Sequence, residues 1–203
     1  GDDSLIGGAG NDTLISVSGN NTLEGGTNNS GGDWVWYNQK LMALNINMNS
    51  TDNGYAIAIF GSETDRLKEI ENIRGTIKAD FIGGNNSKNI LDAYMGDGNT
   101  LVGSGGDDTL LGSSNGNDIF KAGILLSDGT IEDGDDGNNI INGVGGTSNT
   151  VDYSAYASNR TIEVDLASGN NEIRKKLNDI NFGKDTITNI TNITGGAGAD
   201  TII

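Results

Sequence analysis

The chain has no cysteine, no proline and no histidine in 203 residues. Without cysteine there are no disulfide staples, no thiol nucleophile and no cysteine-based zinc site. Without histidine the usual catalytic triads and most zinc hydrolase sites are gone as well. The absence of proline suits a chain whose backbone donors all enter hydrogen-bonded ladders. Apolar residues are scarce at 34%, too few for a broad three-dimensional core but enough for a solenoid, where each turn contributes one or two inward side chains. No apolar run reaches membrane length, and no signal peptide is visible. Basic residues number 12 against 28 acidic ones, for a net charge of −16. Such a surface argues against nucleic acid and anionic membranes as partners, and its self-repulsion opposes folding unless counterions intervene.

What the chain has is glycine, 33 residues of it, placed in register. Gly7-Gly8-Ala9-Gly10-Asn11-Asp12-Thr13-Leu14-Ile15 fits G-G-x-G-x-D-x-U-x, where U is a large apolar residue, and Gly195-Gly196-Ala197-Gly198-Ala199-Asp200-Thr201-Ile202-Ile203 fits it again. Gly103-Ser104-Gly105-Gly106-Asp107-Asp108-Thr109-Leu110-Leu111 departs only at its second residue. The glycines permit positive φ in a tight turn and leave carbonyl oxygens exposed; the aspartate adds a carboxylate, which makes a hard oxygen cage suited to Ca²⁺. The U residue points inward from a short strand. U positions recur at Leu5, Leu14 and Leu23, then at Ile82, Leu91, Leu101, Leu110, Phe120, Ile131, Ile141 and Val151, in steps of 9 to 11 residues. Steps longer than 9 imply small turn insertions.

These nonapeptides resemble the RTX (repeats-in-toxin) proteins, over residues 1–24, 75–152 and 194–203. The resemblance implies an all-β fold: a right-handed parallel β-roll, or β-helix solenoid, with calcium-binding turns, six residues per turn and three per strand. It also implies several Ca²⁺ ions, each between turns two repeats apart on one side of the roll. Paired that way, Asp12 faces Asp33, Asp3 faces Asn21, Asp80 faces Asn99, Asn89 faces Asp108, Asn99 faces Asp118, Asp108 faces the turn of Asp128, and Asp118 faces Asn139. The implied metal-site residues are Asp3, Gly8, Gly10, Asp12, Asp33, Asp80, Gly106, Asp108, Asp118, Asp128, Asp136, Gly198 and Asp200, with Asp107 and Asp135 secondary. The best ion sites are expected near Asp12, Asp108 and Asp200. Turns with asparagine at the sixth position lose a charge, and stacked asparagines can hydrogen-bond along the column instead.

The expected segments are a first nonapeptide block at 1–32, wider β-helical rungs at 33–74, a second block at 75–149, wider rungs at 150–193 that repeat 33–74, and the start of a third block at 194–203. The two wide stretches match in outline: Leu44-Asn45-Ile46-Asn47-Met48 with Ile162-Glu163-Val164-Asp165-Leu166, and the segment opening at Asp65 with that opening at Asp185. Residues 171–177 carry a helical pattern with a basic spot, Arg174, Lys175 and Lys176, read as a solvated loop. Trp34 and Trp36 share one strand face, and at least one is expected to be core filling rather than a sugar platform.

No catalytic constellation is visible, so an enzyme is not expected. The chain begins and ends in mid-repeat and is expected to be part of a longer protein. The resemblance implies a calcium-folding structural module of a secreted or cell-surface bacterial protein of surface-layer, adhesin or matrix type. It would leave the cell by type I secretion, fold outside it and self-associate. The alternative is the calcium-folding C-terminal region of a secreted toxin or hydrolase.

Overall fold

A computed structural model describes residues 1–166, 169 and 171–202. Ile203, the last residue of the third nonapeptide copy, lies outside them. The described residues contain no helix, and no helix long and apolar enough to cross a membrane. The strands are Ser4–Ala9 (β1), Thr13–Ile15 (β2), Thr22–Thr27 (β3), Trp34–Trp36 (β4), Asn45–Asp52 (β5), Tyr55–Phe60 (β6), Glu63–Lys68 (β7) and Asn72–Arg74 (β8). Next come Phe81–Gly83 (β9), Ile90–Asp92 (β10), Thr100–Val102 (β11), Thr109–Leu111 (β12), Ile119–Lys121 (β13), Ile124–Leu125 (β14) and Ile131–Glu132 (β15). The rest are Ile140–Asn142 (β16), Thr150–Asp152 (β17), Arg160–Asp165 (β18), Glu172–Leu177 (β19), Ile180–Thr188 (β20), Asn192–Thr194 (β21) and Thr201–Ile202 (β22).

Outside two excursions and one small hairpin, successive strands alternate between two long sheets. The first sheet runs β1-β3-β7-β6-β5-β9-β11-β13-β17-β21, and the second β2-β4-β8-β10-β12-β16-β20-β19-β18-β22. A strand therefore pairs in parallel with the strand two places on, as β9 does with β11 and β10 with β12. The chain winds back and forth between two facing sheets, which is the layout of a solenoid. Three-residue strands suffice because every turn returns the chain to a neighbour in register.

The core is two stacked rows of single side chains. Ile46, Ile82, Leu101, Phe120 and Val151 stand partner to partner along the first sheet. Leu14, Val35, Ile73, Leu91, Leu110, Ile141 and Ile187 do so along the second. Nearly all are fully buried, and each contributes about 1.5–3 kcal/mol by leaving water. These rows contain the U residues from Leu14 to Val151 apart from Leu23 and Ile131; Leu5 stacks on Leu23, and Leu23 on Leu67, at the other end of the first sheet. Ile131 belongs to the β14–β15 antiparallel hairpin and is not a rung. The chain steps from Phe120 directly to Ile141 as successive rungs, and residues 124–132 are an excursion. Leu125 of this hairpin is buried against the outer face of the first sheet, where a Cβ on Gly83 would meet its Cδ2 at 2.1 Å. Asn47 and Asn49 donate to the Leu126 and Leu125 carbonyls. Val102, on the outward side of its strand, is buried there too.

The stretches expected to form wider rungs hold antiparallel meanders. In the first, β5, β6 and β7 fold back on one another, so that β7 joins β3 and β5 joins β9, both in parallel. In the second, β18, β19 and β20 do the same between β22 and β16. The first meander widens the first sheet and the second widens the second, so the two large repeats lie on opposite sides of the roll. Residues 171–177, read from sequence as helical, are strand β19: its neighbours β18 and β20 supply partners on both edges, and this pairing overrides the local pattern. In β4, burial goes to Val35 and to the following Tyr37; Trp34 and Trp36 are half-buried on the outer face, where the Arg74 guanidinium lies 4.3 Å from the Trp36 ring. Neither tryptophan fills the core, because the inward row already runs through Val35.

Candidate cation cages in the glycine turns

Most turns of the repeat end in an Asp or Asn just before their strand, as at Asp12, Asn89, Asn99, Asp108, Asp118, Asn139 and Asn149. In the turn of Asp12, a Cβ on Gly7 would lie 2.7 Å from Asp12 Oδ2 and 2.7 Å from the Gly25 carbonyl oxygen. In the turn of Asp108, a Cβ on Gly103 would lie 2.4 Å from Asp108 Oδ2. A side chain cannot stand there, so the first glycine of the motif is a steric requirement. The later glycines are conformational: Gly8, Gly10 and Gly106 have φ of 108°, 119° and 106°.

The Oδ1 atoms form columns, each accepting the backbone N–H of the equivalent residue two half-turns back. Asp33 accepts from Asp12 at 2.7 Å, and Asn21 from Asp3 at 2.9 Å. Asn99 accepts from Asp80, Asp118 from Asn99, and Asp108 from Asn89. Two further pairs differ from expectation. Asp108 N–H donates to Asn139 and Asp118 N–H to Asn149, each at 2.9 Å. Asp128 is in neither column; it is exposed in the hairpin turn, accepting from Thr130 N–H, and it faces no rung. The hairpin supplies a spurious repeat in the sequence and shifts every later pair by one place. Asp200 accepts from Ile162 N–H at 2.9 Å, and Gly198 packs against the Arg160 carbonyl. Asp135 caps its own turn at Gly137, and Asp107 is exposed, accepting from Asn138.

The second side-chain atom separates the turns into classes. Asparagine donates from Nδ2 to turn carbonyls: Asn149 to Gly143, Gly145 and Asn189, Asn139 to Asp136, and Asn89 to Glu71. Asp80 and Asp118 accept from the N–H and hydroxyl of Thr76 and Ser113. Asp12, Asp33 and Asp108 have neither solution. Their Oδ2 atoms are buried without a hydrogen-bond partner. A buried carboxylate oxygen with no donor is an unmet acceptor, which costs free energy that a proton or a cation would offset. The electrostatics agree. Burial, chiefly, and then the charges of Asp136, Asp107 and Asp185, against the Asn89 N–H, push the Asp108 carboxyl up to about 8. Burial, opposed by the Leu44 and Thr76 N–H groups, raises Asp80 to about 6. Among the described residues no three acidic side chains converge as a metal site of carboxylates alone would; a cage here draws on one or two carboxylates and on main-chain oxygens.

Two lysines are buried in this system: Lys40, which the sequence analysis did not single out, and Lys175, which it placed in a solvated basic spot. Lys175, on the inward side of β19 and fully buried, places Nζ 2.8 Å from Asp136 Oδ1 and 2.8 Å from Asp185 Oδ1, and donates to the Gly137 carbonyl. Burial pulls its pKa down, but the Asp185 and Asp136 charges outweigh that and hold it above the ordinary value. Tyr153 donates to Asp185, and Tyr156 to Asp136 at 2.8 Å; burial and these carboxylates push both phenols up. The expected solvated basic spot thus reduces to Arg174 and Lys176, which pair with Glu163. Lys40 is likewise buried, with Nζ 2.9 Å from Glu63 Oε2, 3.7 Å from Asp65 Oδ2 and 3.5 Å from the Gly19 carbonyl. The alternation of Ile173, Lys175 and Leu177 was the one signal in sequence that Lys175 faces inward.

No protein-family model matches the chain, and no curated protein matches it.

Proposed function

We propose that this chain is a calcium-binding structural repeat module of the RTX type, a right-handed roll from a large secreted or cell-surface bacterial protein, which folds as its turns take up Ca²⁺. The observation that carries the reading is the set of buried, unpartnered Oδ2 atoms of Asp12, Asp33 and Asp108 under the glycine turns, with the Gly25 and Glu69 carbonyls beside those of Asp12 and Asp33. These are hard oxygen donors in a flexible cage, the donor set Ca²⁺ prefers. Asp12 with Asp33, and Asp108 with the turns on either side of it, would hold the ions. Asp200, with Gly198 in its turn, would take part in a further site. Asp3, Asp80 and Asp118 are weaker candidates because their partners are asparagine or hydroxyl groups. The net charge of −16 favours the same conclusion, since divalent ions relieve the repulsion among carboxylates.

The role follows from the ion. Extracellular calcium modules bind at roughly 10⁻⁴–10⁻³ M, so such a chain stays loose at cytoplasmic calcium levels and folds outside, because ligand that binds only the folded state stabilises it. We assign the module no catalysis of its own; self-association within a surface array fits its solenoid form. Far-UV circular dichroism across a calcium titration, with magnesium as control, tests the reading. A cooperative, calcium-specific gain of β signal is expected, with half-saturation weakened roughly tenfold or more in D12N and D108N. A β signal complete in chelator and unmoved by calcium would overturn it.

A further inference from the structure

Lys40 and Lys175 come from unrelated places: Lys40 from the loop between β4 and β5, Lys175 from the middle strand of the second meander. Their ammonium groups nevertheless reach the same position of the repeat. Two matching columns define it. Asp3, Asn21 and Asp65 are joined by Asn21 accepting from Asp3 N–H and Asp65 accepting from Asn21 N–H. Asp108, Asn139 and Asp185 are joined in the same way. Gly19 precedes Asn21 by two residues, as Gly137 precedes Asn139. Lys40 meets the Gly19 carbonyl and the carboxylates of Asp65 and Glu63; Lys175 meets the Gly137 carbonyl and the carboxylates of Asp185 and Asp136. Each ammonium is thus surrounded by one turn carbonyl and two carboxylates, at the turn where a meander rejoins the roll.

We infer that these two lysine ammonium groups stand in for divalent cations, so that each junction between a meander and the roll carries a tethered, permanent cation in a cage that would otherwise take up a metal ion. This deepens the calcium reading, since it takes the turns to be cation cages. The Lys175 cage is the better closed. Its lysine and both aspartates are buried, its carboxylates accept from the phenols of Tyr153 and Tyr156 where Asp65 accepts from Ser16 and Asn21, and Gly183 opposite leaves room for the lysine stem, because a Cβ there would lie 3.2 Å from Lys175 Cε. A tethered charge needs no free ion, so both junctions assemble before calcium arrives. The roll is then divided into ion-requiring turns, at Asp12, Asp33 and Asp108, and ion-independent junctions.

The test is Lys175→Ala in the full chain, which removes the ammonium and opens its space. Its control, Lys175→Met, removes the charge and keeps the stem. Calcium binding is counted by titration calorimetry, and terbium emission under tyrosine excitation reports an ion beside Tyr153 and Tyr156. The expected result is one more bound ion per chain in K175A than in the unsubstituted protein, with a severalfold rise in terbium emission. K175M gains none, and D185N in the K175A background abolishes the gain. Should K175A unfold in chelator, recovery of its β signal by calcium, with K175M not recovering, is the same result in another form. An ion count for K175A equal to that of the unsubstituted chain, or a loss of fold that calcium does not reverse, overturns the inference. If the unsubstituted chain takes up no calcium while K175A does, the calcium reading of the roll fails and this one stands. If the unsubstituted chain binds and K175A adds nothing, the reverse holds.

Discussion

Asp108 concentrates the chemistry of the turns in one side chain. Its Oδ1 accepts from Asn89 N–H, its Oδ2 accepts from nothing, and its pKa is pushed up to about 8 by burial and neighbouring carboxylates. A carboxyl whose pKa is higher folded than unfolded holds its proton more tightly in the fold. Its contribution is complete below the unfolded value near 4 and lost as pH rises through 8. In chelator, the thermal midpoint should therefore climb as pH falls from about 8 toward 4, and D108N should flatten that slope; on the calcium reading proposed above, saturating calcium should flatten it too. Midpoints measured at a series of pH values check this. The glycines divide by mechanism. In G103A the new Cβ meets Asp108 Oδ2 at 2.4 Å, and the cost should be about 1–3 kcal/mol, with weakened calcium binding. In G8A nothing lies near the Cβ, and only the φ of 108° is strained, for about 1 kcal/mol with calcium affinity unchanged. Urea unfolding with and without calcium separates the two.

The elements show how a three-residue strand persists. Each gives one inward side chain to a stacked row, and its partners two places on complete its hydrogen bonds. L101A, in the middle of the first row and fully buried, should lose about 2–5 kcal/mol in denaturant unfolding. The hairpin β14–β15 obeys a different logic. It packs Leu125 on the outside of the first sheet over Gly83, apart from the main core. L125A should cost about 2–4 kcal/mol without loss of calcium binding at Asp12, since the rungs pass beneath it unbroken. A comparable loss of calcium affinity at Asp12 would show that the hairpin is part of the roll's register.

A net charge of −16 on a roll this narrow should make the ion-free protein gain stability with added sodium chloride, while calcium at matched ionic strength does more. Equal effects of the two salts on the thermal midpoint would reduce calcium to a screening ion. Each meander adds strands to one sheet only, the first meander to the first sheet and the second to the other. The extra width on one side is answered further along by extra width on the other. The large repeat is thus one of sequence that returns on the opposite side, because alternate half-turns belong to alternate sheets.

The inward rows were legible in the sequence from Leu5 to Leu23 and, Ile131 apart, from Ile82 to Val151, as was the pairing of Asp12 with Asp33 and of Asp80 with Asn99. A repeat that must stack imposes its period on the chain, and the glycines and aspartates of a tight turn have few substitutes. Three features were decided only in three dimensions. Ile131 and Asp128 fit the period closely enough to pass as a rung, but an antiparallel hairpin has its own local hydrogen bonds and needs no place in the stack. Residues 171–177 became a strand because β18 and β20 flank them, a condition set by the meander and not by their own pattern. Lys175 was drawn inward by two carboxylates, Asp136, 39 residues away, and Asp185 on the neighbouring strand, which meet it together only when the second meander closes on the roll. Period and turn chemistry are properties of adjacent residues, so a sequence states them; the burial of a charge depends on which distant charges surround it, and only the folded chain determines that.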